Sequence, residues 1–196
     1  MKYLLILLIL LMVSCGGQQD HSGHDGHDSS ASIAPQSMPG DPASQLLGGY
    51  YQLKMALVEA DSVAADSAAR ALAGLAEGVD LKSWVSDSSQ ASLAIALLDS
   101  VAEVLSGFTT SADLTSRRRL FSQLGVNLLA LLKHIGYDAT TVYVQECPMA
   151  FNDTEAASWL SDASTIVNPY LGKKHPKYNA GMLHCGELKD SILVKH

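Results

Sequence analysis

Two short runs near the C-terminus gather soft donors: Cys147-Pro148-Met149 and Met182-Leu183-His184-Cys185-Gly186, with His175 between them. Thiolate and thioether sulfurs favour cuprous copper, and thiolates with imidazole also suit zinc. Two loops that each bring a cysteine and a methionine can close a two- to four-coordinate site on Cys147, Met149, Met182 and Cys185, with His184 or His175 as optional ligands. Cys147 and Met149 are two residues apart, so an extended backbone points both side chains the same way. The two thiols have a second possible fate. A Cys147–Cys185 disulfide closes a loop of about 38 residues, worth about 3–4 kcal/mol of loop-closure entropy. Met149 and Met182, taken one at a time, are explained equally well as gap-filling core residues. Spacing alone leaves metal ligation and disulfide both open.

A weaker chelating tract lies near the other end, His21-Ser22-Gly23-His24-Asp25-Gly26-His27-Asp28. Imidazoles three residues apart in a flexible segment take copper, zinc or nickel without much selectivity. The plain alternative is a polar spacer. Ahead of it, Met1-Lys2-Tyr3 and the apolar run Leu4 to Val13 have the form of a bacterial signal peptide, too short to span a bilayer stably. Met12-Val13-Ser14-Cys15 resembles a lipobox, so residues 1–14 are expected to be removed and Cys15 to carry lipid. That places the protein in the bacterial cell envelope, held to a membrane by its lipid and facing the periplasm or the cell surface. Nothing after the leader is expected to be apolar for long enough to span.

These residues need a scaffold. Residues 15–42 are rich in Gly, Ser, Asp, His and Pro and read as a flexible tether. Residues 43–196 form the folded part. Leu46, Tyr50, Leu53 and Leu57 make the apolar face of a first helix. Asp61 caps a second, with Ala65, Ala68, Leu72 and Leu75 inward and Gly78 at its end. Asp87-Ser88-Ser89-Gln90 has the capping-box pattern of a third helix, carrying Ala94, Leu97, Val101 and Leu105 and stopped by Gly107. Thr110 to Ile135 carries Leu114, Phe121, Leu128 and Ile135 at heptad spacing, with Leu124 and Leu131 between them and Gly136 as the stop. The spacing predicts a mainly α fold: an antiparallel bundle of about four helices with a short irregular C-terminal lobe, about residues 140–196. Thr140 to Val144 supplies a little extended structure, Asn152-Asp153 marks a turn, and Trp159, Leu160 and Tyr170 hold the lobe on the bundle. Arg117-Arg118-Arg119 reads as a solvated helix end.

Composition narrows the function. A net charge of −7 without a basic stripe makes nucleic acid a poor partner. There is no nucleophile elbow, phosphate loop or zincin helix, so no enzyme activity is expected. Cys147 with His184 could imitate a thiol nucleophile and its base, but the Cys-Pro-Met context offers no helix N-terminus to activate the thiol.

Several runs are familiar in combination: Leu53-Lys54-Met55-Ala56-Leu57-Val58, Ala69-Arg70-Ala71-Leu72, Phe121-Ser122-Gln123-Leu124, Cys147-Pro148-Met149-Ala150, Trp159-Leu160-Ser161, Asn168-Pro169-Tyr170-Leu171-Gly172 and Met182-Leu183-His184-Cys185-Gly186. From about residue 43 to 190 the chain resembles an uncharacterised exported domain family of Bacteroidetes-type lipoproteins, also fused to periplasmic adaptor subunits of copper/silver efflux pumps. The resemblance implies a helical bundle with a Cys-Pro-Met…Cys-Gly lobe. It implies a link to copper, with silver or zinc as alternatives, and efflux components or a copper chaperone as partners. It also maps the family's paired cysteines onto Cys147 and Cys185, and its methionines onto Met149 and Met182. No adaptor hairpin or barrel is recognisable beside them.

Overall fold

The computed structural model describes residues 40–80, 85 and 87–194. The leader, Cys15, His21, His24, His27 and most of the tether lie outside the described residues. Four helices come first, α1 (Pro42–Val58), α2 (Ser62–Glu77), α3 (Ser88–Thr110) and α4 (Leu114–His134). Three strands follow, β1 (Val142–Phe151), β2 (Glu155–Ser161) and β3 (Glu187–Ile192). The described residues are thus mainly helical with one small sheet.

Each helix begins on an aspartate. Asp41, Asp61, Asp87 and Asp113 accept hydrogen bonds from backbone N–H groups of the first turn, where the helix has no internal acceptor to offer. Two of the C-termini use the same closing motif with different residues. At the end of α4, Gly136 at φ +67° lets Tyr137 N–H reach Leu132 O at 2.9 Å. At the end of α1, Ala60 takes the equivalent position at φ 50°, and Asp61 N–H reaches Ala56 O at 3.0 Å. An L-residue is strained there and glycine is not. Ala60→Gly is therefore expected to stabilise the protein by about 0.5–1 kcal/mol, read as a small rise in the thermal midpoint.

Gly107 does not stop α3. The helix runs on to Thr110, because an isolated glycine costs a helix only about 1 kcal/mol, and it ends where Ser111 turns extended. By length and composition α3 is also apolar enough to cross a membrane, with a mean hydropathy of 1.6, contrary to the expectation for residues after the leader. Ala94, Leu98, Val101, Val104, Leu105 and Phe108 along it are nevertheless buried in the protein core.

The C-terminal region contains a little extended structure, as expected, here an antiparallel sheet of order β2-β1-β3 with an irregular connection over residues 162–186. The β1–β2 turn is at Asn152-Asp153, as expected, with both residues at positive φ (53° and 62°) and Thr154 N–H closing on Phe151 O. β3 carries Glu187, Lys189 and Asp190 on an exposed edge, which discourages further strand pairing.

The sheet shares its core with the helices. Tyr50 of α1 stacks on Phe121 of α4 at 4.7 Å. Phe121 in turn lies 6.2 Å from Tyr170, which meets Phe151 and Trp159 edge-on at 5.3 and 5.8 Å. Trp159, Leu160 and Tyr170 are all buried, as expected. Tyr50 also crosses the layers through its hydroxyl, which accepts Leu160 N–H at 3.2 Å. The hydroxyl fits only because residue 125 is glycine: a Cβ there would stand 2.8 Å from it. Tyr50→Phe leaves a buried N–H of β2 without an acceptor. A loss of about 1–3 kcal/mol is expected by chemical denaturation.

The arginine run is not a solvated helix end. Arg117 and Arg118 are buried, and only Arg119 is exposed, clamped to Glu155. Arg118 spans from helix to loop, donating from Nε to Pro169 O at 2.9 Å and from Nη2 to Leu57 O at 3.1 Å. Lys54 is a further buried cation, bonding Ser161 Oγ at 3.1 Å with Asp162 3.5 Å away.

Candidate functional site

Cys147 sits on β1 opposite Ala157 of β2 and is fully buried. Cys185 sits in the turn that leads into β3, its N–H bonded to Met182 O at 3.0 Å. Both thiols are free, and their sulfurs are 3.2 Å apart. The two donor runs therefore meet at their cysteines.

Two buried amides hold the long β2–β3 connection that delivers Cys185. Gln145 Nε2 donates to the carbonyls of Ala163, Ser164 and Thr165 at 2.9–3.2 Å. Asn168 donates from Nδ2 to Cys185 O at 2.7 Å, while its Oδ1 accepts Tyr170 N–H at 2.8 Å and Leu171 N–H at 3.0 Å. Its backbone N–H reaches Leu183 O at 2.8 Å. Asn168 thus ties the Cys185 turn to the turn above Arg118. Gly186 completes the approach. It has φ +146°, and a Cβ would lie 2.9 Å from both Glu146 O and Trp159 Cη2. Neither Asn168 nor Gly186 carries donor chemistry that would mark it for the site from residue type alone. An Asn-Pro pair in a turn-rich segment was the available signal for Asn168.

The other candidate ligands are less gathered. Met149 and Met182 are half-buried and packed against the core. The β1–β2 ladder loses register between Cys147 and Phe151, so simple alternation no longer places Met149 on the side of Cys147. His184 is exposed, with Nδ1 2.7 Å from Ile166 O, an arrangement that puts the proton on Nδ1 and leaves Nε2 available as an acceptor. His175 belongs elsewhere. It stacks on Tyr178 at 5.0 Å, its Nδ1 accepts N–H bonds from Lys177 and Tyr178, and it lines a cavity with Asp153 and Arg118. Among the described residues no group of three or more His, Cys, Asp or Glu side chains is placed to hold a metal.

Burial, reinforced by the neighbouring Cys147, pushes the Cys185 thiol up to about 11. At neutral pH it is protonated, a weak nucleophile that must lose a proton before it can bind a metal.

Residues 46–140 match the model of a family described as a protein of unknown function (DUF3347). The matched stretch covers nearly all of α1 to α4 and ends before β1, so the two cysteines fall outside it. No curated protein matches the chain, and no solved structure matches it.

Proposed function

We propose that this is a non-catalytic, lipid-anchored protein of the bacterial envelope that buffers or hands on cuprous copper, working beside heavy-metal efflux components or a copper chaperone. The observation that carries this reading is the 3.2 Å approach of two free thiols, one buried and one half-exposed, brought together from segments far apart in sequence. Copper is favoured over zinc by ligand count. Zinc in a structural site takes four donors, whereas two thiolates, helped by a thioether, satisfy a soft monovalent ion. With metal–sulfur bonds of about 2.3 Å, two thiolates on one ion stand roughly 3.8–4.6 Å apart, so loading needs Cys185 to move outward by about 1 Å. Met149, Met182 and His184 are the reserve ligands, the tract at His21, His24 and His27 is a capture arm, and Cys15 is the lipid attachment point.

Anaerobic titration of the reduced protein with cuprous ion against a chromophoric competitor is the test. One tightly held ion per chain is expected, and no binding ends the proposal. Because the ion must displace the Cys185 proton, apparent affinity should rise about tenfold per pH unit through the neutral range from this thiol alone. Affinity that is flat between pH 6 and 8 would mean that Cys185 is not a ligand.

A second reading is a disulfide-clamped interaction module, favoured by the same closeness of the sulfurs. Intact mass before and after alkylation separates the two. A protein isolated fully oxidised and resistant to mild reductant supports the clamp.

A further inference from the structure

Among the described residues, two of the three successive arginines have carboxylate partners and one has none. Arg117 Nη2 meets Asp66 Oδ1 at 3.1 Å, and Arg119 grips Glu155 through two bonds of 2.6 and 2.9 Å. Arg118 is only 7 % exposed, yet among the described residues its partners are the two backbone carbonyls of Pro169 and Leu57. Nε and Nη2 make those two bonds, and among the described residues no partner is found for Nη1. Burial pushes the guanidinium down to about 10, and it remains charged at neutral pH. A buried charge left without an opposite one is unfavourable, so such a group is normally met by a counter-ion.

Arg118 faces a cavity of about 250 Å³ at the turn end of β1, lined also by Thr115, Phe151, Asn152, Tyr170 and His175. Asp153 and Lys177 also line it but satisfy each other: one Asp153 oxygen is bonded by Lys177 Nζ, and the other accepts Tyr178 O–H at 2.8 Å. The charge left over is that of Arg118. His175 adds a directed donor. Its Nδ1 is occupied by the Lys177 and Tyr178 N–H groups, so the neutral ring carries its proton on Nε2.

We propose that this cavity binds a small oxyanion, a carboxylate or phosphate group, with Arg118 as its counter-charge and His175 and Thr115 as neutral donors. A guanidinium whose Nε and Nη2 are already fixed by backbone carbonyls is pre-oriented and loses little freedom on binding. The walls of Phe151 and Tyr170 exclude water on one side and leave room for a small apolar body behind the anionic group. The site uses none of the thiols and stands whether or not copper binds.

Calorimetric titration of the mature protein with inorganic phosphate, acetate and phenyl phosphate, in chloride buffer of fixed ionic strength, tests the proposal. One-to-one saturable binding of at least one of them is expected, lost in Arg118→Met and weakened about tenfold in His175→Ala. Preference for phenyl phosphate assigns an aromatic carrier, and equal affinity for inorganic phosphate assigns the bare group. If Arg118→Met does not fold, His175→Ala and Thr115→Val decide the matter, since neither side chain supports the helices. Absence of saturable binding below about 10 mM for all three ligands, or unchanged affinity in both of those variants, overturns the proposal.

Discussion

Gly172→Ala is expected to lower the free energy of unfolding by about 3 kcal/mol or more, and the thermal midpoint by roughly 6–12 °C. Two independent effects add. Residue 172 is at φ +58°, where an L-residue is disfavoured by roughly 1–2 kcal/mol. A Cβ there would stand 2.7 Å from Val58 O, 3.0 Å from Arg118 Nη2 and 3.3 Å from Leu57 O. Two of those three atoms are backbone at the end of α1, and the third belongs to a buried guanidinium already fixed by hydrogen bonds. None can yield cheaply, which is the condition under which overpacking costs a further ~1–3 kcal/mol. The neighbouring bond from Lys173 N–H to Val58 O at 2.8 Å stitches the same two segments and would be pushed apart. Thermal denaturation followed by circular dichroism is the measurement. A midpoint within 2 °C of the parent would show that the 168–172 turn relaxes freely.

Cys185→Ser should reduce cuprous affinity by at least about a thousandfold, equivalent to ~4 kcal/mol, while leaving the fold intact. Cys185 is the better position for the substitution because it is half-exposed; Cys147 is fully buried, and a hydroxyl there would itself be destabilising. The paired control is Cys147→Ala, which removes the other thiol without burying a new polar group. Both variants should fail to compete with a cuprous chelator that the parent outcompetes. Retention of parent-like affinity by either would assign binding to the methionines and histidines and remove the thiol pair from the site. Met149→Leu and Met182→Leu should have smaller effects, because a thioether is the weaker donor and both side chains already pack as core.

The helices were legible because local rules and burial agree along them. Each helix start is marked by an aspartate followed by a periodic apolar stripe, and Leu46, Tyr50, Leu53, Leu57, Phe121, Leu124, Leu128 and Leu131 are all buried. Gly107 misled because a glycine in a helical pattern reads as a stop unless its neighbours are known. Here the next turn continues, with Leu120 of α4 beside it. The sheet was only partly legible. Its central strand shows in Val142-Tyr143-Val144, but in Glu187 to Ile192 the apolar residues are Leu188 and Ile192 alone, with three polar residues between them, so this exposed edge strand has no alternation to reveal it. The arginine run failed for a related reason. Linear sequence marks charge, and burial of Arg118 depends on carbonyls at Leu57 and Pro169 that are far from it along the chain. At the candidate site, residue types pointed to the two cysteines but could not bring them together. That juxtaposition depends on Asn168, Gln145 and Gly186, whose roles are defined by contacts across the fold.

The aromatic column from Tyr50 through Phe121 and Tyr170 to Trp159 has a consequence for where the protein can be cut. The family match ends at residue 140, yet a fragment ending there would strip Phe121 of Tyr170 and leave the Tyr50 hydroxyl without the Leu160 amide. The border of recognisable sequence is not a border of cooperativity. Helices and strands should melt in a single transition, and whatever is captured beside Cys185 or Arg118 would be felt as added resistance to unfolding in helices that never touch it.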